Sequence, residues 1–194
     1  MSELTKGERT RQKLVAATGA LLRRQGFHAT GLSDIVEESG APRGSLYFHF
    51  PGGKDELATA ALAAAGQEWR ARVEAVVASA PDLGSAISNI VDLLADDLAA
   101  SKFQHGCPVA AVALETTSEP VRKAIVAHYA AWETGIAEHL GRLGVPAIAA
   151  KQLAVVALAS IEGALLLARV QRSKAPLLTV GKALRAMVAA VAPR

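Results

Sequence analysis

The sequence predicts an all-α fold, in which a small N-terminal three-helix unit precedes a larger helical C-terminal domain. Ala and Leu are abundant and aromatic residues make up 4% of the 194 residues, which favours helices because Ala and Leu lose little side-chain entropy there. No segment alternates apolar and polar residues as a half-buried strand does. Short breaks that contain Gly or Pro separate the apolar stretches, so the chain divides into successive helices.

The first three helices are predicted at residues 6–25, 32–39 and 43–49. Thr5 and Glu8 have the spacing of a capping box at the start of helix 1, and Gly26 is suited to its end. Gly40 opens a tight turn after helix 2, and Pro42 is suited to the start of helix 3. Two short helices around a Gly-containing turn, after a longer supporting helix, are typical of a helix-turn-helix.

The remaining chain predicts six further helices, at residues 54–78, 82–100, 108–116, 119–143, 147–173 and 177–191. Acidic residues open the first of them, as the helix dipole prefers. Ser118 and Pro120 give a strong start signal for the helix at 119–143. We therefore expect a helix-turn-helix domain over residues 1–53 and a helical effector-binding and dimerisation domain over residues 54–194.

Helix 3 is the segment in which residue placement indicates a function. At 100° per residue, Leu46 and Phe50 point in one direction and Phe48 points in the opposite one, with Tyr47 on a flank. Exposed aromatic rings are unfavourable on an ordinary surface, but in a DNA major groove they can contact sugars and thymine methyl groups, while Tyr and His side chains can donate to phosphates. The alternative is that Tyr47, Phe48 and His49 are core residues of a three-helix bundle.

Charge and composition narrow the class of protein. The basic excess, a net charge of +3, lies within residues 1–54, whereas residues 55–194 are balanced, which fits an N-terminal unit that binds a polyanion. The single cysteine allows no disulfide within the chain and indicates a reducing cytoplasm. No uncharged run reaches the length of about 20 residues that a membrane span needs, so we expect a soluble cytoplasmic protein with no membrane partner.

Four segments of the N-terminal part resemble the signature of the TetR/AcrR family of transcriptional regulators: 10–14, 26–30, 33–36 and 40–50. They occur in the family's order and spacing. The loop at 50–54, with segments 106–110 and 113–115, is similar to the lincomycin-resistance-repressor subgroup (LmrA/YxaF type). The resemblance implies a homodimer that binds a palindromic DNA operator through its N-terminal helices and a small effector through its C-terminal domain. It also implies that the protein is a repressor, that effector binding releases it from the operator, and that it uses no cofactor.

Motif matching carries the family's DNA contacts onto Thr30, Ser33, Arg43, Gly44, Ser45, Tyr47, His49 and Lys54, and the orientation of helix 3 adds Phe48. The chain departs from the family pattern at three places. Phe48 stands where a second Tyr or Trp is common, and Gly31 stands where Ser or Thr usually caps helix 2. The loop Pro51-Gly52-Gly53 is one residue longer than the common form.

The C-terminal domain offers fewer signals. Its scarce large or reactive side chains suggest an effector pocket lined by Phe103, Cys107, Ile125, Tyr129, Trp132 and Glu162, and its low net charge suggests a neutral or aromatic effector. Each of these residues has the alternative of being an ordinary core residue.

The last two helices, within residues 147–191, suggest the dimer interface. One apolar stripe comprises Leu153, Ala157, Ile161, Ala164, Leu165 and Ala168, and another comprises Leu184, Met187, Val188 and Val191. Two such helices from each subunit can form a four-helix interface with two-fold symmetry. Burial inside one subunit is the alternative, and the family resemblance favours dimerisation.

Two other classes of protein are alternatives to a regulator. A thiol enzyme would use Cys107 with His105 and Glu115 nearby, but a cysteine between Gly and Pro in an apolar stretch is more often a small core residue. No nucleophile elbow or phosphate loop is present. A metal sensor would use His105 and Cys107 with His128 and His139, but none of their spacings is that of a zinc site. We therefore expect neither catalysis nor a bound metal.

Overall fold

The computed structural model describes residues 4–191, and within this range it contains nine α-helices and no strand. Their bounds are α1 Lys6–Gln25, α2 Leu32–Ser39, α3 Arg43–His49, α4 Gly53–Ser79, α5 Leu83–Ala100, α6 Pro108–Glu115, α7 Glu119–Arg142, α8 Ala147–Gln171 and α9 Ala175–Val191. The all-helical prediction is confirmed, and α1 to α3 have the predicted bounds.

Helix ends follow the local chemistry. At α1, the Thr5 backbone N–H donates to the Glu8 carboxylate at 2.7 Å and the Glu8 backbone N–H donates to the Thr5 hydroxyl at 3.2 Å, so the capping box is present. Helix α8 ends two residues earlier than predicted because Arg172 adopts a left-handed conformation with φ 49°. Helix α9 begins two residues earlier because Pro176 is accepted in its first turn.

The chain forms two compact units. The first contains residues up to Glu68 together with Cys107–Val126, and the second contains Trp69–Gly106 together with the residues from Ala127 onwards. Helices α4 and α7 each have their first part in the first unit and their remainder in the second. The predicted domain boundary between residues 53 and 54 stays a prediction.

The core of the first unit joins the helix-turn-helix to the start of α4. Its fully buried side chains include Leu14 from α1, Ile35 from α2, Leu46 and Phe50 from α3 and its end, and Leu57 from α4. At about 1.5–3 kcal/mol for each large apolar side chain, this burial fixes the orientation of α3. The side of α3 opposite Leu46 and Phe50 is therefore presented to solvent.

In the second unit, α9 packs against α5 and α8. Gly181 allows the close approach of α9 to α5, because a Cβ atom at this position would lie 3.0 Å from Cγ2 of Val91. A further cluster joins the end of α7 to the start of α8 through Leu140, Val145 and Leu153.

Helix α8 corrects the expected role of its first apolar stripe. Leu153, Ala164, Leu165 and Ala168 are buried within the chain, which is the alternative that the sequence left open. A helix that is apolar on more than one face gives no periodic signal for choosing between those faces. Among the described residues, α8 is also the one helix whose length and composition would suffice to cross a membrane, and 22% of its most apolar window is buried inside the chain.

Candidate nucleic-acid interface

The reading face of α3 consists of the side chains opposite its buried pair. Leu46 and Phe50 are 1% and 0% exposed, whereas Tyr47 and Phe48 are 61% and 81% exposed. The Phe48 ring makes an edge contact with His49, at 5.0 Å between ring centroids, and the rest of its surface is largely open to solvent. The orientation predicted from the sequence is therefore confirmed.

The start of α3 is open to solvent. Arg43 and Gly44 are exposed, and Ser45 is half-buried with its backbone N–H donating to the carbonyl of Pro42 at 2.9 Å. A Cβ atom on Gly44 would meet nothing within 4 Å. Because Gly44 carries no side chain there, another molecule can approach the backbone at this position.

The residues around α3 differ in how accessible they are. Ser33 is exposed on the first turn of α2. His49 is half-buried and faces the start of α1, since its Cε1 atom would lie 3.7 Å from a Cβ atom on Gly7. The expected DNA contact of His49 therefore depends on an edge of the ring rather than on the whole side chain.

Lys54 is held by the loop between α1 and α2. Its Nζ atom donates to the carbonyl of His28 at 3.3 Å and lies 4.4 Å from the centre of the Phe27 ring. These contacts position the ammonium group without neutralising it, because neither partner carries a negative charge. Lys54 therefore has N–H donors to spare for a phosphate.

Thr30 differs from its expected role. Its side chain is 0% exposed, its hydroxyl donates to the carbonyl of Gly26 at 2.7 Å, and its backbone N–H donates to the carbonyl of Phe27 at 3.3 Å. Both polar groups close the loop before α2 on itself. We therefore correct the expectation that Thr30 contacts DNA and assign it a structural role in this loop.

Sequence reasoning missed how strongly Glu115 supports the same loop. Its carboxylate accepts a hydrogen bond of 2.8 Å from the His28 backbone N–H and lies against Gly26. The chain separation of 87 residues gives no local signal that could have indicated this contact. Through it, the end of α6 holds the segment that leads into α2 and α3.

Sequence reasoning also named no DNA contact on α1. Lys6, Arg9 and Lys13 stand at i, i+3 and i+7, which is the spacing of one helix face. They line a cleft of about 240 Å³ beside the turn between α2 and α3. The charge excess and this spacing together were the signal that could have found them.

The six expected effector residues are divided between the two units. Cys107 and Ile125 belong to the first, and Phe103, Tyr129, Trp132 and Glu162 belong to the second. Ile125 is buried at 6% exposure, and the other five are half-buried. The pocket that they were expected to line stays a prediction.

Tyr129 and Trp132 belong to a polar aromatic cluster on α7. The Trp132 indole N–H donates to Nε2 of His128 at 3.1 Å, and the Arg70 guanidinium lies 5.7 Å from the Trp132 ring centre. Burial lowers the pKa of His128 below its usual value of 6.5, and the charge of Arg70 lowers it further. Because an indole N–H only donates, Nε2 of His128 is the acceptor in this pair.

Within residues 4–191, no three His, Cys, Asp or Glu side chains form a group that could hold a metal ion. His105 is exposed, and Glu115, the expected acidic partner for Cys107, is engaged by His28.

Comparison with known proteins gives consistent results over nearly the whole chain. Residues 14–61 match the model described as "Bacterial regulatory proteins, tetR family", and residues 84–183 match "Transcriptional regulator LmrA/YxaF-like, C-terminal domain". The HTH-type transcriptional regulator LmrA of Bacillus subtilis is 35% identical over 173 residues, which cover 88% of this chain and 92% of LmrA. An uncharacterized HTH-type transcriptional regulator of Mycobacterium tuberculosis is 36% identical over 190 residues, with 94% and 96% covered.

Solved structures show the same fold. A TetR-family regulator from Cytophaga hutchinsonii superposes with a TM-score of 0.84 at 23% identity, with 100% of both chains covered. The regulatory protein TetR from Rhodobacter sphaeroides gives a TM-score of 0.81 at 19% identity, over 91% of this chain and 97% of that one. These similarities extend the likeness from the helix-turn-helix to the C-terminal helices.

Proposed function

The chain belongs to the TetR family of DNA-binding transcriptional regulators, with a C-terminal domain of the LmrA/YxaF-like type, and from this we propose that it is a repressor released from a palindromic operator by a small, mostly apolar effector. The observation that carries the proposal is the exposure of Tyr47 and Phe48 on α3 above a fully buried Leu46 and Phe50. An apolar ring that is 81% exposed beside a phenol is unfavourable in water. In a major groove both rings have partners.

The proposed contacts follow from chemistry and exposure. Arg43 is placed to donate to a guanine edge or a phosphate, and the side chains of Ser33, Ser45 and Tyr47 to phosphates. Gly44 lets the backbone approach, Phe48 packs on sugars or thymine methyl groups, His49 contributes a ring edge, and Lys54 binds a flanking phosphate.

We propose dimerisation through α8 and α9, with α8 using a face different from the stripe that was expected first. The exposed apolar residues of α8 fall within an arc of about 120° at 100° per residue: Ile148, Val155, Val156, Leu166, Leu167 and Val170. This arc is opposite the face that packs inside the chain. The proposed occupant is a second copy of the same chain, since regulators of this family act as dimers.

The effector is proposed to bind in the C-terminal domain, with Tyr129 and Trp132 as ring contacts. Such a site combines apolar walls with a few polar groups that orient the ligand. Both are present in the cluster of Arg70, His128 and Trp132, which offers an aromatic ring together with charged and hydrogen-bonding groups. The basic N-terminal charge and the family's role also support a cytoplasmic location, where the chain would meet its operator.

The experiment that tests this function is selection of bound duplexes from a random pool by the full-length protein. We expect an inverted repeat whose half-sites are about one helical turn apart, 10–10.5 bp, or a multiple of it. Enrichment of a motif without a dyad would contradict the dimeric mode, and no enrichment over input would contradict specific DNA binding. Repeating the selection with candidate effectors identifies a compound that suppresses enrichment.

Two variants of Tyr47 separate its hydroxyl from its ring on the selected operator. Tyr47→Phe should weaken binding about tenfold or more, because a hydrogen bond to a charged group contributes about 1.5–3 kcal/mol and about 1.4 kcal/mol is tenfold. Tyr47→Ala should weaken it further by removing the ring contact. Affinity is measured by gel shift at fixed salt. Leu114→Ala, at an 84% exposed position on α6, is the matched control, and operator affinity equal to this control would exclude Tyr47 from the interface.

A further inference from the structure

The cleft beside the turn between α2 and α3 is lined by three basic side chains. Lys6, Arg9 and Lys13 supply one wall from successive turns of α1, and residues 40–42 form the other. Its volume, about 240 Å³, admits a phosphate group together with its sugar. The cleft ends at Pro42, the residue immediately before α3.

Among the described residues, the three cations of the cleft have no acidic partner. Within residues 4–191, Lys6, Arg9 and Lys13 have no carboxylate at salt-bridge distance, whereas other basic residues such as Arg24, Arg72 and Lys174 are paired. The carboxylate of Glu8, the one acidic residue of α1, is bound by Thr5. Hydrogen bonding from Thr5 lowers the pKa of Glu8, which keeps this carboxylate charged and engaged there.

The uncharged groups that line the cleft beside these cations offer few free hydrogen-bond donors. The Thr10 hydroxyl donates to the carbonyl of Lys6 at 3.0 Å, and Pro42 has no N–H to donate. Arg9 is oriented by donating to the carbonyl of Leu4. A base edge would find few matching donors and acceptors, but a phosphodiester needs only the positive charges.

We infer that this cleft holds a backbone phosphate of the operator next to the major groove that α3 occupies. The inference rests on the proposed function and extends the DNA contact surface from α3 onto α1. Because the cleft adjoins the start of α3, a strand that borders the groove passes within reach of Lys6, Arg9 and Lys13. The cleft therefore adds affinity and fixes position, but it adds no preference for sequence.

The test compares two triple variants of the full-length protein that remove the same amount of charge. The first is Lys6→Gln, Arg9→Gln and Lys13→Gln, and the control is Lys102→Gln, Lys123→Gln and Arg142→Gln at exposed positions outside the cleft. Affinity is measured against salt concentration for the selected operator and for an unrelated duplex. In the first variant only, the slope of log affinity against log salt should become shallower by about 0.9 for each phosphate that the protein no longer neutralises.

The outcomes separate the inference from the proposed function. An equal fold reduction in affinity for both duplexes, with an unchanged selected motif, supports the cleft as a phosphate site. A slope equal to that of the control overturns it, and a changed motif replaces it with a base contact. Since the wild-type selection is scored independently, a failed proposed function appears there, whereas a failed inference appears only in the salt slope. Lys13→Gln alone and the charge-preserving Lys13→Arg repeat the comparison with the least change to α1.

Discussion

Gly26 is the residue at which two distant parts of the first unit meet. Its φ of 79° and ψ of −175° lie in a region that essentially only glycine adopts. A Cβ atom there would lie 2.3 Å from Oε1 of Glu115, whose carboxylate also accepts from the His28 N–H. The absence of a side chain therefore allows both the backbone turn and the approach of α6.

Gly26→Ala should lower the free energy of unfolding by about 1–3 kcal/mol from the backbone alone, and further because of the overlap with Glu115. Glu115→Ala removes the overlap but also the hydrogen bond from the His28 N–H, so the Gly26→Ala change is measured again in the Glu115→Ala background, where it should cost less because only the backbone strain remains. Urea denaturation measures both changes. Gly19→Ala is the matched control, because a Cβ atom at this helical position meets nothing within 4 Å and Ala is favoured over Gly in a helix. Stability of Gly26→Ala equal to wild type would refute the steric argument.

The loop between α1 and α2 shows which single-residue roles could be predicted from the sequence and which could not. Gly26 was predicted as the end of α1 because a helix stop has a local signal. The burial of Thr30 has no such signal, since a threonine before a short helix is equally suited to a cap, a surface contact or a loop closure. The contact of Glu115 with His28 depends on the packing of α6, which no local pattern encodes.

Helices α3 and α8 show why one face could be predicted and another could not. In α3 the two fully buried side chains have helical spacing, so the wheel fixes the exposed side. Helix α8 has two opposite apolar faces, and most of the stripe expected to form the dimer face packs inside the chain instead. Where more than one face is apolar, only tertiary structure decides which one the chain covers.

The surroundings of His128 on α7 predict that stability depends on pH. His128 accepts from the Trp132 N–H at Nε2, and burial, followed by the charge of Arg70, lowers its pKa from 6.5. The unfolded chain therefore takes up a proton before the folded chain does. The stabilisation is present above the usual histidine pKa and is lost as the pH falls below it.

We expect the free energy of unfolding to decrease between about pH 7.5 and pH 5.5, and His128→Gln to reduce this dependence. Part of it should remain, because burial and Arg142 also lower the pKa of His139. Urea denaturation at several pH values measures the effect, and His105→Gln at an exposed position is the control. Parallel pH profiles for His128→Gln and wild type would show that the cluster does not titrate in this range.

The net charge and the exposed apolar arc of α8 belong to different units. The net positive charge lies in residues 1–54, and the large exposed apolar side chains of α8 lie in the second unit. The sequence predicted this division, since charge balance and helix order can be counted along a chain. The composition of the two units could not be predicted, because residues 107–126 join the N-terminal unit through packing alone.

If the exposed apolar arc of α8 forms the dimer interface, charges placed in this arc should prevent dimerisation and thereby weaken operator binding. Leu166→Glu with Val170→Glu places two carboxylates at positions that are 58% and 75% exposed in one chain. In a dimer interface each unpaired charge costs several kcal/mol, whereas on a free surface it costs little. We therefore expect sedimentation velocity to show a dimer for wild type and a monomer for the variant.

Operator affinity should fall when the dimer dissociates, since a monomer engages one half-site and makes no contact with the second. Affinity for a single half-site should change little, because α3 lies in the first unit. Leu114→Glu, which adds a carboxylate at an exposed apolar position of α6, should leave the dimer intact. A variant that stays dimeric and still binds the full operator would place the interface elsewhere on the chain, whereas a monomeric variant that keeps full-site affinity would separate dimerisation from DNA recognition.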